Sequence, residues 1–140
     1  MKISARVENS KGRHEATVAT DGRDQQIAIQ PKPSGFGSAA NGAELLCLAL
    51  ATCYCNDIYR EAAQRGITVK RVEVEVTGDF DAPGESGKNI YYEARVIADA
   101  RNEDIEELMS NTDKVAEIHN TLRVLTPVTL TRIEAISTLG

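Results

Sequence analysis

What the sequence lacks closes off several classes of function. No window approaches the ~20 consecutive apolar residues that a membrane-spanning helix needs. The opening stretch, MKISARVENSKGRHEATVAT, alternates polar and apolar positions where a secretory signal carries an unbroken apolar core. A cytoplasmic protein with no membrane partner is expected. Positive charge is in deficit: 16 Lys and Arg stand against 21 Asp and Glu, a net charge of -5, and the basic residues are scattered. Gripping phosphate backbones regardless of sequence needs a basic surface, so no nucleic-acid partner is expected. Histidine occurs only at His14 and His119, and no C-x-x-C or H-x-x-x-H spacing is present. Four convergent ligands for a tetrahedral metal are therefore missing, and neither metal nor cofactor is called for. The three cysteines are an odd number in a chain of 140 residues. A chain of that length buries a core without staples, so reduced thiols are expected. Internal repeats and low-complexity tracts are absent too, and the chain reads as a single domain over residues 1–140.

What is present reads as an α+β chain. KISARVE from Lys2 and HEATVAT from His14 alternate like paired strands, and Asn9, Ser10, Lys11 and Gly12 between them have hairpin-turn chemistry. A third run covers Ile27 to Ile29. The stretch QPKPSGFGSAANG, with two prolines and three glycines, is a long loop. It ends at Asn41, with Glu44 three residues on, the spacing of a reciprocal helix cap. From Ala43 to Cys55 nearly every position is apolar or small, which predicts the enclosed half of a central helix. Asp57, Arg60, Glu61, Gln64 and Arg65 then predict a half that reaches solvent, and Gly66 a stop. VKRVEVEVTGDF alternates with Val72, Val74 and Val76 on one face, and IYYEARVIADA returns. NEDIEELMSNTDKVAEIHNTLRVL is helical with a break expected at Ser110 to Thr112, and PVTLTRIEAIS is expected to close as a strand. The order β-β-β-α-β-β-α-β predicts one antiparallel sheet packed on a long central helix.

The central helix carries all three cysteines. Cys53 and Cys55 point roughly 200° apart on a helix that turns about 100° per residue, and Cys47 and Cys55 lie roughly 12 Å apart along its axis. None can pair with another in the same chain. For Cys47 and Cys55 the reading is a small apolar residue on a helix face.

GAELLCLALATCYCNDIYREAAQRG resembles the central helix of the OsmC/Ohr superfamily, where a run of the type E-L-L-L-x-A-L-x-x-C ends on a peroxide-reacting cysteine. Cys53 falls on that position. ATDGRDQ is similar to the family's glycine-glycine-arginine segment and places Arg23 on its functional arginine. GITVKRVEVEVTGDFD and AEIHNTLRVLTPV are similar to the strand after that helix and to the closing helix turn. The resemblance implies an OsmC-like fold in an intertwined homodimer with active sites between subunits. It also implies a cysteine thiolate that attacks the O–O bond of a hydroperoxide beside an arginine, and a second cysteine that forms a disulfide. The chemistry is coherent, since only the thiolate is nucleophilic and a guanidinium stabilises it.

The sequence departs from that pattern at two places. Ala116 occupies the position of the second cysteine, and the glutamate that orients the arginine is displaced, with Ala43 at its place and Glu44 one residue later. Glu44 is thus either a third catalytic residue or a helix cap. Asp57, one turn from Cys53, acts to raise the thiol pKa, Arg60 is placed to neutralise it, and His119 is either a thiolate partner or a helix cap. The leading expectation is a homodimer reducing small organic hydroperoxides at Cys53, with Arg23 and Glu44 assisting. Leu46, Leu50, Phe36 and His119 line its pocket, and an external thiol stands in for the missing resolving cysteine. The alternatives are a non-catalytic dimer holding a small apolar ligand in that pocket, and a structural dimer with a decayed site. Tyr54 and Tyr59 are open between the pocket and the core.

Overall fold

Two tight turns build the first sheet. The computed structural model describes residues 1–138. Strands β1 (Ile3–Ser10) and β2 (Arg13–Thr20) pair antiparallel from Ile3↔Thr20 to Ser10↔Arg13. The turn is therefore only Lys11 and Gly12, and Asn9 and Ser10 belong to the strand. The next turn is Asp21 and Gly22, both at positive φ (48° and 79°), the geometry of the two-residue hairpin turns that match strand twist. This turn fixes where β3 begins. The third strand occupies Arg23–Ile27 rather than Ile27 to Ile29, with Thr20↔Arg23 at the turn and Ala16↔Ile27 at the far end. Polar side chains do not disqualify Arg23 to Gln26, because all five residues of β3 are exposed.

By close packing the described chain divides into two units, residues 1–49 with 77–91 and residues 50–76 with 92–138, and α1, β4 and β5 each contribute to both. In the first unit the loop after β3 is tied to the β1–β2 hairpin: Gly12 N–H donates to Gly35 C=O (3.2 Å) and Gly37 N–H to Asn9 Oδ1 (2.9 Å). Helix α1 (Gly42–Gln64) starts as its spacing predicts. Asn41 N–H donates to Glu44 Oε1 (2.9 Å) and Glu44 N–H to Asn41 Oδ1 (2.8 Å).

The second unit holds the main core. Tyr54, Ile58 and Ala62 recur every four residues along α1 and pack with Leu108 of α2 (Asn102–Val115). Val72 and Val74 of β4 (Thr68–Asp79) and Tyr92, Ala94 and Val96 of β5 (Lys88–Asp99) close around them. The expected inward face of β4 is the one observed.

Burial along α1 departs from the expectation at particular positions, although Leu50 and Tyr54 are buried as expected. Leu48 in the apolar half is 60 % exposed, whereas Asp57 in the charged half is 5 % exposed. The buried apolar stripe runs from Leu50 and Tyr54 into the charged half at Ile58 and Ala62, where α2, β4 and β5 cover it, and Leu48 lies off that stripe. Nor does α2 break at Ser110 to Thr112. Buried Thr112 turns its hydroxyl back to Leu108 C=O (2.7 Å), and the interruption comes at Ala116, extended at φ -69° and ψ 107°, before α3 (Glu117–Arg123). Among the described residues two separate sheets form, β1-β2-β3 and β4-β5, instead of one. Residues 127–138 adopt neither helix nor strand, so the closing strand is not formed within this chain. A strand needs a partner edge, and residues 127–138 pair with none among the described residues.

Candidate functional site

The second unit brings Cys53 together with a carboxylate that the sequence places one turn further along α1. Cys53 is half-buried, and its thiol donates to Asp57 Oδ2 at 3.6 Å. Asp57 Oδ1 is held by Arg60 Nη1 at 3.0 Å. Arg60 also reaches Glu61 and, on α3, Glu117, each at 3.5 Å. Burial pushes the Cys53 thiol above its ordinary value, with the charge of Asp57 acting the same way, while a hydrogen bond from the Ile118 backbone N–H opposes them. Burial likewise raises the Asp57 carboxyl, against Arg60 and the thiol, which favour its charge. The thiol is thus protonated and partly accessible, not a ready thiolate.

Behind this cluster lies an aromatic group. Tyr54 and Tyr92 meet edge to face with ring centroids 5.0 Å apart, and His119 stands 4.8 Å from Tyr92 and 6.2 Å from Tyr54. Tyr54 is a core residue whose hydroxyl donates to Met109 C=O (2.8 Å), while Tyr59 is exposed. Burial pushes the Tyr54 phenol up to about 12. The Tyr92 hydroxyl donates to Asp113, which Arg123 also grips at 2.8 Å. Burial acts upward on Asp113, but Tyr92 and Arg123 hold its carboxyl below the usual carboxylate range. His119 is 4 % exposed with neither ring nitrogen hydrogen-bonded, and burial keeps it neutral by lowering its pKa. It neither caps a helix through its ring nor hydrogen-bonds the sulfur.

Of the residues singled out in the sequence, Cys53, Leu50 and His119 belong to this unit, and Leu50 is buried. Arg23, Phe36, Glu44 and Leu46 belong to the other. There Arg23 is the exposed first residue of β3, Phe36 is 65 % exposed on the loop, Leu46 is half-buried and Glu44 makes the cap. The spacing of Cys53, Asp57 and Arg60 is legible along the helix, but the burial of Asp57 and the approach of Glu117 and the Ile118 amide are not. All three thiols are free. Among the described residues no cluster of His, Cys, Asp and Glu could hold a metal ion, and no helix is long and apolar enough to cross a membrane.

The family model described as OsmC-like protein matches residues 35–131, more than half the chain. The chain belongs to the OsmC-like family. No curated protein matches it. Among solved structures, an OsmC-like protein from Mycoplasma pneumoniae is similar at 22 % identity, with 89 % of this chain and 88 % of that one covered and a TM-score of 0.60. An OsmC-like protein of unknown function from Vibrio cholerae gives 15 % identity, coverage of 86 % and 93 %, and a TM-score of 0.59. An organic hydroperoxide resistance protein OsmC from Legionella pneumophila gives 17 %, 88 % and 90 %, and 0.57. These likenesses establish the OsmC-like fold, a mixed α+β architecture with antiparallel sheets.

Proposed function

We propose that this OsmC-like protein reduces small organic hydroperoxides through Cys53 as its single reacting thiol. One observation carries the reading: the cysteine at the family's reactive position is the one whose sulfur is hydrogen-bonded to an ionisable partner. The sulfur attacks the O–O bond and becomes a sulfenic acid. Two equivalents of an external thiol then return it to the thiol, forming a disulfide and water. Arg23 as thiolate stabiliser, and Leu46, Leu50 and Phe36 as pocket residues, are included on the sequence resemblance alone. Glu44 is read as a helix cap, since both of its capping hydrogen bonds are made. Membership of the family whose relative is described as an organic hydroperoxide resistance protein supports the general role.

The second reading, a non-catalytic dimer holding a small apolar ligand, is favoured by one observation, the raised pKa of the Cys53 thiol. Treating the protein with tert-butyl hydroperoxide and weighing it intact separates the two. One added oxygen, lost in Cys53→Ser and removed by dithiothreitol, is expected. An unchanged mass overturns the peroxidase reading.

Assembly as a homodimer is part of the proposal. What supports it is the apolar surface of a lone chain: Leu48 on α1, and Val128, Leu130, Ile133 and Ile136 in the C-terminal segment, are all exposed.

A further inference from the structure

A protonated thiol needs somewhere to send its proton when it attacks a peroxide, and the alkoxide leaving the O–O bond needs a proton back. Asp57 is within hydrogen-bond reach of the sulfur at 3.6 Å and is 5 % exposed. Its other oxygen is anchored at 3.0 Å by Arg60, which fixes the carboxylate's orientation toward Cys53. The charged and titratable groups around it are Cys53, Arg60 and Glu61 on α1 and Glu117 and His119 on α3. Two guanidinium groups serve three carboxylates, Arg60 reaching Asp57, Glu61 and Glu117 and Arg65 reaching Glu61 at 3.5 Å, and His119 is neutral, so taking up a proton relieves an excess of negative charge. Thiol and carboxyl both resist ionisation, which suits a pair that shares one proton.

We infer that Asp57 is the proton shuttle of Cys53, accepting the thiol proton as sulfur attacks and returning it to the departing alkoxide. The inference rests on the peroxidase reading above. In the step, a bond forms between sulfur and the distal oxygen and the O–O bond breaks. Sulfur is oxidised to the sulfenic acid, the hydroperoxide is reduced to an alcohol, and the proton passes from Sγ through Asp57 to the alcohol oxygen. Cys–SH and ROOH become Cys–SOH and ROH, with no outside acid, base or oxidant beyond the substrate.

The rival role for Asp57 is that of a nearby anion that merely suppresses the thiolate, and the two roles predict opposite signs. Alkylation by iodoacetamide expels iodide, which needs no proton, whereas oxidation by tert-butyl hydroperoxide expels an alkoxide, which does. In Asp57→Asn the anion and the proton donor are both lost. Oxidation of Cys53, followed by intact mass, is expected to slow at least ~10-fold more than alkylation, which loses only the proton acceptor. If both rates rise together, or both fall in proportion, or neither moves, the shuttle is overturned.

A measurement on the unaltered protein guards against a variant that fails to fold. With the proton shared inside the pair, oxidation is expected to be level from about pH 6 to 8, below the ordinary thiol pKa. Oxidation that climbs ~10-fold per pH unit, in parallel with alkylation, overturns the shuttle while leaving the peroxidase reading standing. Absence of any oxidation in the unaltered protein overturns both.

Discussion

His119 is out of balance with its surroundings, because neither nitrogen of its buried ring has a hydrogen-bond partner among the described residues. Its pKa is lowered from 6.5 by burial. Between that folded value and 6.5 the unfolded chain binds more protons than the folded one, so stability rises with pH across the window and is lost as pH falls through it. Urea-unfolding midpoints should therefore drop between pH 7.5 and 5.5, and the drop should be smaller in His119→Leu. At pH 7.5 that variant should be within about 1 kcal/mol of the parent or above it, since an apolar replacement removes an unmet polar demand. A fully buried apolar side chain behaves differently: Ile58, 0 % exposed, should cost about 2–5 kcal/mol when cut to Ala, read from the same curves. At this scale the sequence is partly legible. The i, i+4 spacing places Asp57 beside Cys53, but charge is ordinarily a sign of solvent, and only the packed α2–α3 corner reveals that this carboxylate is enclosed.

The cap at the start of α1 is the element-scale feature read most directly from sequence, because both of its hydrogen bonds lie within three residues. Asn41→Ala should lower stability by about 1 kcal/mol. Glu44→Gln keeps an acceptor for the Asn41 amide, so it should leave stability within about 0.5 kcal/mol, measured by thermal or urea unfolding, and the rate of Cys53 oxidation unchanged. A large loss of oxidation rate with stability intact would instead make Glu44 a participant in the chemistry. Other elements were legible in kind but not in extent. β4 shows its inward valines by strict alternation, while β3 is set by a positive-φ turn and not by apolar pattern. The break in α2 was misplaced because Thr112 finds a backbone acceptor inside the helix. What decides these cases is a partner several residues away, which a window of local propensity does not contain.

For the whole molecule, order and class of the elements follow from the sequence, and the family model agrees over residues 35–131. The closing strand does not: PVTLTRIEAIS has a strand's composition but pairs with no edge among the described residues. Val128 is 99 % exposed, and Leu130, Ile133 and Ile136 are mostly so. With Leu48 of α1 also exposed, the homodimer proposal makes a direct prediction. Sedimentation velocity at micromolar concentration should give a two-chain species, and Val128→Asp combined with Leu130→Asp should shift it toward one chain. A single-chain species in the unaltered protein would remove the dimer from the proposal.

The open C-terminal segment also has a thermodynamic corollary. If its side chains are buried only against another copy, folding and association share one equilibrium, and the melting temperature climbs with protein concentration by mass action. Dilution would then act on this protein as a mild denaturant.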